Sequence, residues 1–202
     1  EFRRVLFRSD RERAKDLMAS IKDFDKLVFE GHSTDYQTKY KLRELVEDGV
    51  GILKVGPGLT YAAREGIFSL CMIEEELAAV YGFETSHFRE ELDKAMLANP
   101  GKWAPYYHGT ENEIAFKRKY SFSDRCRYYL PQENVKNALA KLLTNLKEHP
   151  VPLPLLSQYM PFQYTMVREG KLNNTPEDLI KARVMYTIEE YTYASHQEEL
   201  VR

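Results

Sequence analysis

No apolar run in the chain approaches the ~20 residues that a bilayer-crossing helix needs, so no membrane partner is expected. Cysteine is scarce. The two thiols, Cys71 and Cys126, stand far apart in helix-like, partly apolar contexts and have no companions at metal-ligand spacing. They read as reduced packing residues of a cytoplasmic protein. Charge of one sign is also lacking. The formal net charge is -2, and no block of like charges suggests a binding tail, so no nucleic-acid partner is expected. The chain has no GxxxxGK[ST] loop to cradle nucleotide phosphates, no HExxH zinc helix and no GxSxG nucleophile elbow.

What is present is enough apolar material for a core: 43% of the 202 residues are hydrophobic and 12% aromatic. Residues 1–9 (EFRRVLFRS) mix charged and apolar groups without a clean period, and we expect this segment to be non-native. Arg11 to Lys22 carries Ala14, Leu17, Met18 and Ile21 at helical spacing. Lys26 to Gly31 is a short apolar run, read as a buried parallel strand. Thr38 is placed to cap a helix through Leu42, Leu45 and Val46 that stops at Gly49. Gly51 to Val55 reads as a second strand, closed by Gly56-Pro57-Gly58, with a longer helix running from Thr60 to about Leu77. Strand, loop, helix, strand, glycine-rich loop, helix amounts to two βα units with parallel strands, so the fold class is α/β, either a barrel or a doubly wound sheet. Beyond residue 81 the pattern turns helical. Thr110 and Glu113 have the spacing of a capping box, Glu133 to Glu148 follows Pro131 with one leucine-rich face, and Thr175-Pro176 opens a last helix. Val151 to Pro161 is proline-rich and reads as an extended packed segment. The expected division is therefore 1–9, two βα units over 10–80, and a helical region over 81–202.

In parallel α/β folds, functional groups gather at the carboxyl ends of strands. Two loops fall there. One holds Glu30, His32, Ser33, Thr34 and Asp35, and continuation of the strand pleat would turn Glu30 and His32 to the same side. The other runs from Lys54 through Gly56 and Gly58 to Thr60, and its glycines would let backbone N–H groups approach an anion. Each has a plainer reading, as a solvated turn with a capping residue, and Lys54 reads equally as a solvent-facing side chain. Arg125 and Arg127 beside Asp124 read either as a surface ion-pair group or as a bidentate phosphate site. Trp103, Tyr106, Tyr107, Tyr128 and Tyr129 read as helix-packing aromatics.

Five stretches together resemble a known family. FEGHSTDYQT (29–38), ILKVGPGLTYAAREGIFSL (52–70), NPGKWAPYYHG (99–109), DRCRYYLP (124–131) and PLPLLSQYMP (152–161) look like the Z-subunit family of D-tagatose-1,6-bisphosphate aldolase (GatZ/KbaZ-like). The resemblance implies the C-terminal part of a class II aldolase-like TIM (β/α)8 barrel, with earlier strands lying outside this chain, followed by a mainly helical extension. It implies a non-catalytic accessory subunit that supports a separate catalytic aldolase subunit in galactitol and N-acetylgalactosamine-type carbohydrate catabolism, with a sugar phosphate as a possible ligand. The alternative it leaves open is a metal-dependent ketose-bisphosphate aldolase in its own right, with zinc on His32 or Glu30. Catalytic class II aldolases carry a metal-binding His before a Gly-Ser phosphate loop. A gapless match puts Glu30 in the place of that His, and this departure counts against a catalytic metal.

Overall fold

The structure is a computed structural model that describes residues 10–24 and 26–197, and residues 1–9, with the expected non-native segment, lie outside the described residues. The chain divides into two compact units, one of Glu1–Leu59 with Met185–Arg202 and one of Thr60–Val184. Among the described residues no helix is long and apolar enough to cross a membrane.

In the first unit, helix α1 (Arg11–Ser20) is capped by the Asp10 carboxylate accepting from the Arg13 N–H. Strand β1 (Phe29–Gly31), helix α2 (Lys39–Glu47) and strand β2 (Val50–Leu53) form one βαβ unit, and the two strands pair in parallel. Thr38 caps α2 by accepting from Lys41, and Gly49 leaves the helix at φ 111°, a left-handed turn that a side chain would strain. The ladder pairs Glu30 with Ile52 and Gly31 with Leu53, with a bulge between Phe29 and Glu30. β1 begins three residues later than the apolar run suggests, because its partner strand is only four residues long and Lys26 to Val28 find no ladder opposite. The first strand, expected to be buried, is open: Val28 and Glu30 are exposed, and so are Gly51 and Ile52 of β2. A parallel sheet is normally covered on both faces.

The second unit holds helix α3 (Gly58–Tyr81), α4 (Phe88–Ala98), α5 (Glu111–Tyr120), α6 (Glu133–Glu148), α7 (Leu153–Tyr159) and α8 (Pro161–Arg168). The last helix, α9, spans Pro176–Ala194. One apolar core joins α3, α4 and α6 through Leu70, Ile73, Phe88, Met96, Leu142 and Leu146. Both cysteines are buried in it as free thiols, and burial pushes both thiol pKa values up, consistent with packing rather than reactivity. Trp103 is buried and donates its indole N–H to the Met96 carbonyl at 2.7 Å, and the Tyr129 hydroxyl donates to Asn99. His149 ends α6 stacked on Phe83 at 4.4 Å. Glu74, fully buried, accepts from the Ser86 amide and hydroxyl and from the Asn145 amide, which anchors the turn before α4.

The leucine-rich stripe of residues 133–148 is a helix over that whole range, with Gln132 as N-cap and Pro131 one residue before the cap rather than in the first turn. The capping box of α5 is complete: Thr110 accepts from the Glu113 N–H, and Glu113 accepts from the Thr110 N–H at 2.7 Å. Thr110→Ala is expected to lower stability by about 1 kcal/mol. Urea denaturation followed by far-UV circular dichroism checks this, and an unchanged midpoint would show that the box contributes nothing.

Residues 151–161 correct the sequence reading. They are not extended: α7 and α8 occupy the segment in tandem. Pro152 is the N-cap of α7, Pro154 sits in its first turn and Pro161 is the first residue of α8, all positions where the backbone N–H has no helical partner to lose. The prolines begin helices here instead of preventing them.

Candidate functional site

In the first unit, the carboxyl ends of β1 and β2 bring most of the expected site residues together. Glu30 is the hub of the outer set. Its Oε1 accepts from Lys54 Nζ at 2.7 Å and lies 2.7 Å from His32 Nε2. The pleat therefore does place Glu30 and His32 on one side. The Lys54 ammonium, with a smaller contribution from His32, holds the Glu30 carboxyl below the usual carboxylate range. The bridge is thus complete above that range and is lost as pH falls through the lowered pKa. The carboxylate oxygen of Glu30 nearest His32 already receives the Lys54 ammonium group, and among the described residues no three His, Cys, Asp or Glu side chains converge.

Deeper in the loop, Thr34 is 1% exposed. Its hydroxyl donates to the Lys54 carbonyl at 2.7 Å and lies 3.1 Å from the hydroxyl of Tyr191 on α9. Burial raises the Tyr191 phenol to about 12, so it stays protonated at neutral pH and able to donate. Ser33 and Tyr36 both take left-handed backbone conformations, at φ 58° and 63°. Two such residues within four positions are held by what surrounds them, here the buried Thr34 between them and the ligation of Asp35.

Asp35 determines the character of the glycine-rich loop. Its carboxylate accepts from the Gly56 N–H at 2.9 and 3.0 Å and from the Gly58 N–H at 2.8 Å. A Cβ added at Gly56 would meet an Asp35 oxygen at 2.5 Å, and one at Gly58 at 2.7 Å, so a side chain at either position would push the Asp35 carboxylate off the amides. The amides expected to receive an anion hold one that belongs to the chain itself.

Thr60, Arg125 and Arg127 belong to the second unit. Thr60 donates to Asp124 Oδ2 at 2.6 Å. Asp124 is not part of a surface group with its arginine neighbours. It is 2% exposed, takes a left-handed conformation at φ 47°, and pairs with Arg64 through Nε at 3.1 Å. The Cys126 thiol donates to the same carboxylate. Arg64 was not among the expected residues, and its only signal was a charge on an otherwise apolar helix face. Arg125 stacks on Tyr106, 3.4 Å from the ring centroid, and Arg127 donates to the Ser123 and Asp124 carbonyls at 2.6 and 2.9 Å. The two guanidinium groups are separately engaged and do not form one bidentate fork.

The fold as a whole has a counterpart among solved structures. A crystal structure of a probable tagatose 6 phosphate kinase from Sinorhizobium meliloti 1021 superposes with a TM-score of 0.87 at 39% identity, over 93% of this chain. That alignment takes in 48% of the other protein, so this chain spans about half its length. The family model described as D-tagatose-1,6-bisphosphate aldolase subunit GatZ/KbaZ-like matches residues 1–196. With that match over nearly the whole chain, and the quoted motifs in the same order, the protein belongs to the GatZ/KbaZ-like family of D-tagatose-1,6-bisphosphate aldolase subunits.

Proposed function

We propose that this chain is the C-terminal portion of a non-catalytic accessory subunit that supports the catalytic subunit of tagatose-1,6-bisphosphate aldolase. The observation that carries the reading is the Asp35 carboxylate seated on the Gly56 and Gly58 amides. A loop that binds its own carboxylate is braced as structure. A substrate phosphate would have to displace that carboxylate and leave it uncompensated. The Glu30–Lys54 bridge points the same way, since it joins the two strand ends through groups that a catalytic site would keep available.

The parallel pair β1–β2 is read as two late βα units of a class II aldolase-like (β/α)8 barrel, within residues 10–80, followed by a helical region over residues 81–202. The exposed strand residues Glu30, Gly51 and Ile52 support further strands beside them.

For the contact with the catalytic subunit, the helical unit offers a cationic aromatic patch. Tyr106 and Tyr128 are 55% and 44% exposed. Arg125 lies over the first, and Arg127 and Lys102 over the second at 4.4 and 5.8 Å. Tyrosine and arginine are the residue types enriched at interface cores, and the patch suits an acidic surface. The test is aldolase turnover of tagatose 1,6-bisphosphate by the catalytic subunit with and without the full-length parent of this chain. Turnover is expected to rise and persist longer with it, and the Arg125→Ala, Arg127→Ala double variant is expected to lose most of that gain. Zinc-dependent cleavage by the parent protein alone would overturn the accessory role in favour of an aldolase using Glu30 and His32.

A further inference from the structure

Helix α5 turns an aromatic face away from its own unit. Phe116, in the second half of the helix, is 62% exposed, and Tyr120, one turn on, is 41% exposed with its ring 5.2 Å away. The opposite face points inward, where Arg118 is buried against Asp93 and Ile114 packs on the core. The apolar surface continues beyond the helix. Tyr120 shares a cleft wall with Phe162, which is 64% exposed, and with Tyr61, on which Phe122 stacks at 5.0 Å while remaining 36% exposed. At about 150–250 Å² per aromatic side chain, the open parts of the four rings amount to roughly 400 Å². A patch of that size is often a contact surface, and it supplies about half of the ~800 Å² that each partner buries in a specific interface.

The charges on α5 select the partner. Its first turn is acidic, with Glu111 and Glu113, and its last turn is basic, with Lys117, Arg118 and Lys119. Lys119 stands three residues after Phe116 and so borders the same face. Neither Lys119 nor Glu111 makes a salt bridge among the described residues. A face divided in this way along one axis is complementary to itself when reversed. A second α5 laid antiparallel across Phe116 sets each basic last turn over the acidic first turn of the other copy, and the two-fold axis makes the match twice. The helix dipoles oppose each other in the same arrangement. A uniformly acidic or basic partner would match one end of the helix and be repelled by the other.

We propose that the Phe116 face of α5 is a two-fold contact between two copies of this chain, with the two Phe116 rings side by side at its centre and Lys119 of each copy near Glu111 of the other. The inference does not rest on the accessory role, since it requires no catalytic subunit.

Sedimentation velocity of the 202-residue chain from low to high micromolar concentration tests it. A reversible monomer–dimer equilibrium is expected, with a Kd of about 10–100 μM because the patch is smaller than a standard interface. Phe116→Ala is expected to weaken association by about tenfold or more with an unchanged far-UV circular dichroism spectrum, since the ring is exposed in the single chain. Glu111→Lys and Lys119→Glu, each alone, place like charges opposite each other and are expected to weaken the dimer severalfold. Combined in one chain, they restore opposite charges across the axis, and the affinity is expected to return towards that of the native protein. A chain that stays monomeric throughout would overturn the proposal. So would a dimer insensitive to Phe116→Ala, which would place the contact on another surface such as the open strands of the first unit. A double charge reversal that associates no better than the single variants would overturn the antiparallel two-fold arrangement.

Discussion

Asp124→Ala is expected to destabilise the helical unit by about 3–5 kcal/mol, the range found when one partner of a buried ion pair is removed. The side chains of Arg64 and Asp124 are 2% and 0% exposed, so the substitution strands a guanidinium group away from water. It also removes the acceptor for the Thr60 hydroxyl and for the Cys126 thiol. The backbone at residue 124 adds to the loss. At φ 47° an alanine pays the left-handed penalty that aspartate and asparagine largely escape through local hydrogen bonding. Asp124→Asn should accordingly retain more stability than Asp124→Ala, because it keeps an acceptor and tolerates the conformation. Urea denaturation of the three proteins, followed by far-UV circular dichroism, measures the differences. Equal midpoints for Asn and Ala would show that neither the hydrogen bonds nor the backbone conformation matters at this position.

Phe88→Ala is the second large effect, with an expected loss of about 3–5 kcal/mol. Phe88 opens α4 directly after His87, itself left-handed at φ 52°, and is 1% exposed in the core. Its ring meets Phe68 edge-on with centroids 6.4 Å apart. Truncation removes that contact and leaves a cavity that α3, α4 and α6, jointly packed, close only in part. Phe116→Ala is the matching control. That ring is 62% exposed, and the expected change is about 0.5 kcal/mol or less. A similar loss at both positions would mean that the core does not centre on Phe88.

Helix boundaries in this protein are written in short-range chemistry. Thr38, Thr110 and Pro176 each start a helix at the expected residue, because caps and first-turn prolines act within four positions. The stripe from Val135 to Leu146 is buried as its period requires. The same short-range logic misread residues 151–161, since proline spacing alone does not distinguish a helix start from a break.

The candidate site was legible in part and for a similar reason. That Glu30 and His32 share a side follows from the strand pleat, a local rule. That Lys54 reaches Glu30, 24 residues away, and that Asp35 rather than a ligand occupies the Gly56 and Gly58 amides, follow from parallel pairing of β1 with β2. Arg64 and Asp124 are 60 positions apart, and no pattern in the chain announces that they meet. Amino-acid order was thus sufficient for most of the elements and their caps, the βαβ order and the family, but not for the helices within residues 151–161. The partner of each charged group came only with the folded chain, because a hydrogen bond is specified by distances of about 3 Å that packing sets and periodicity does not contain.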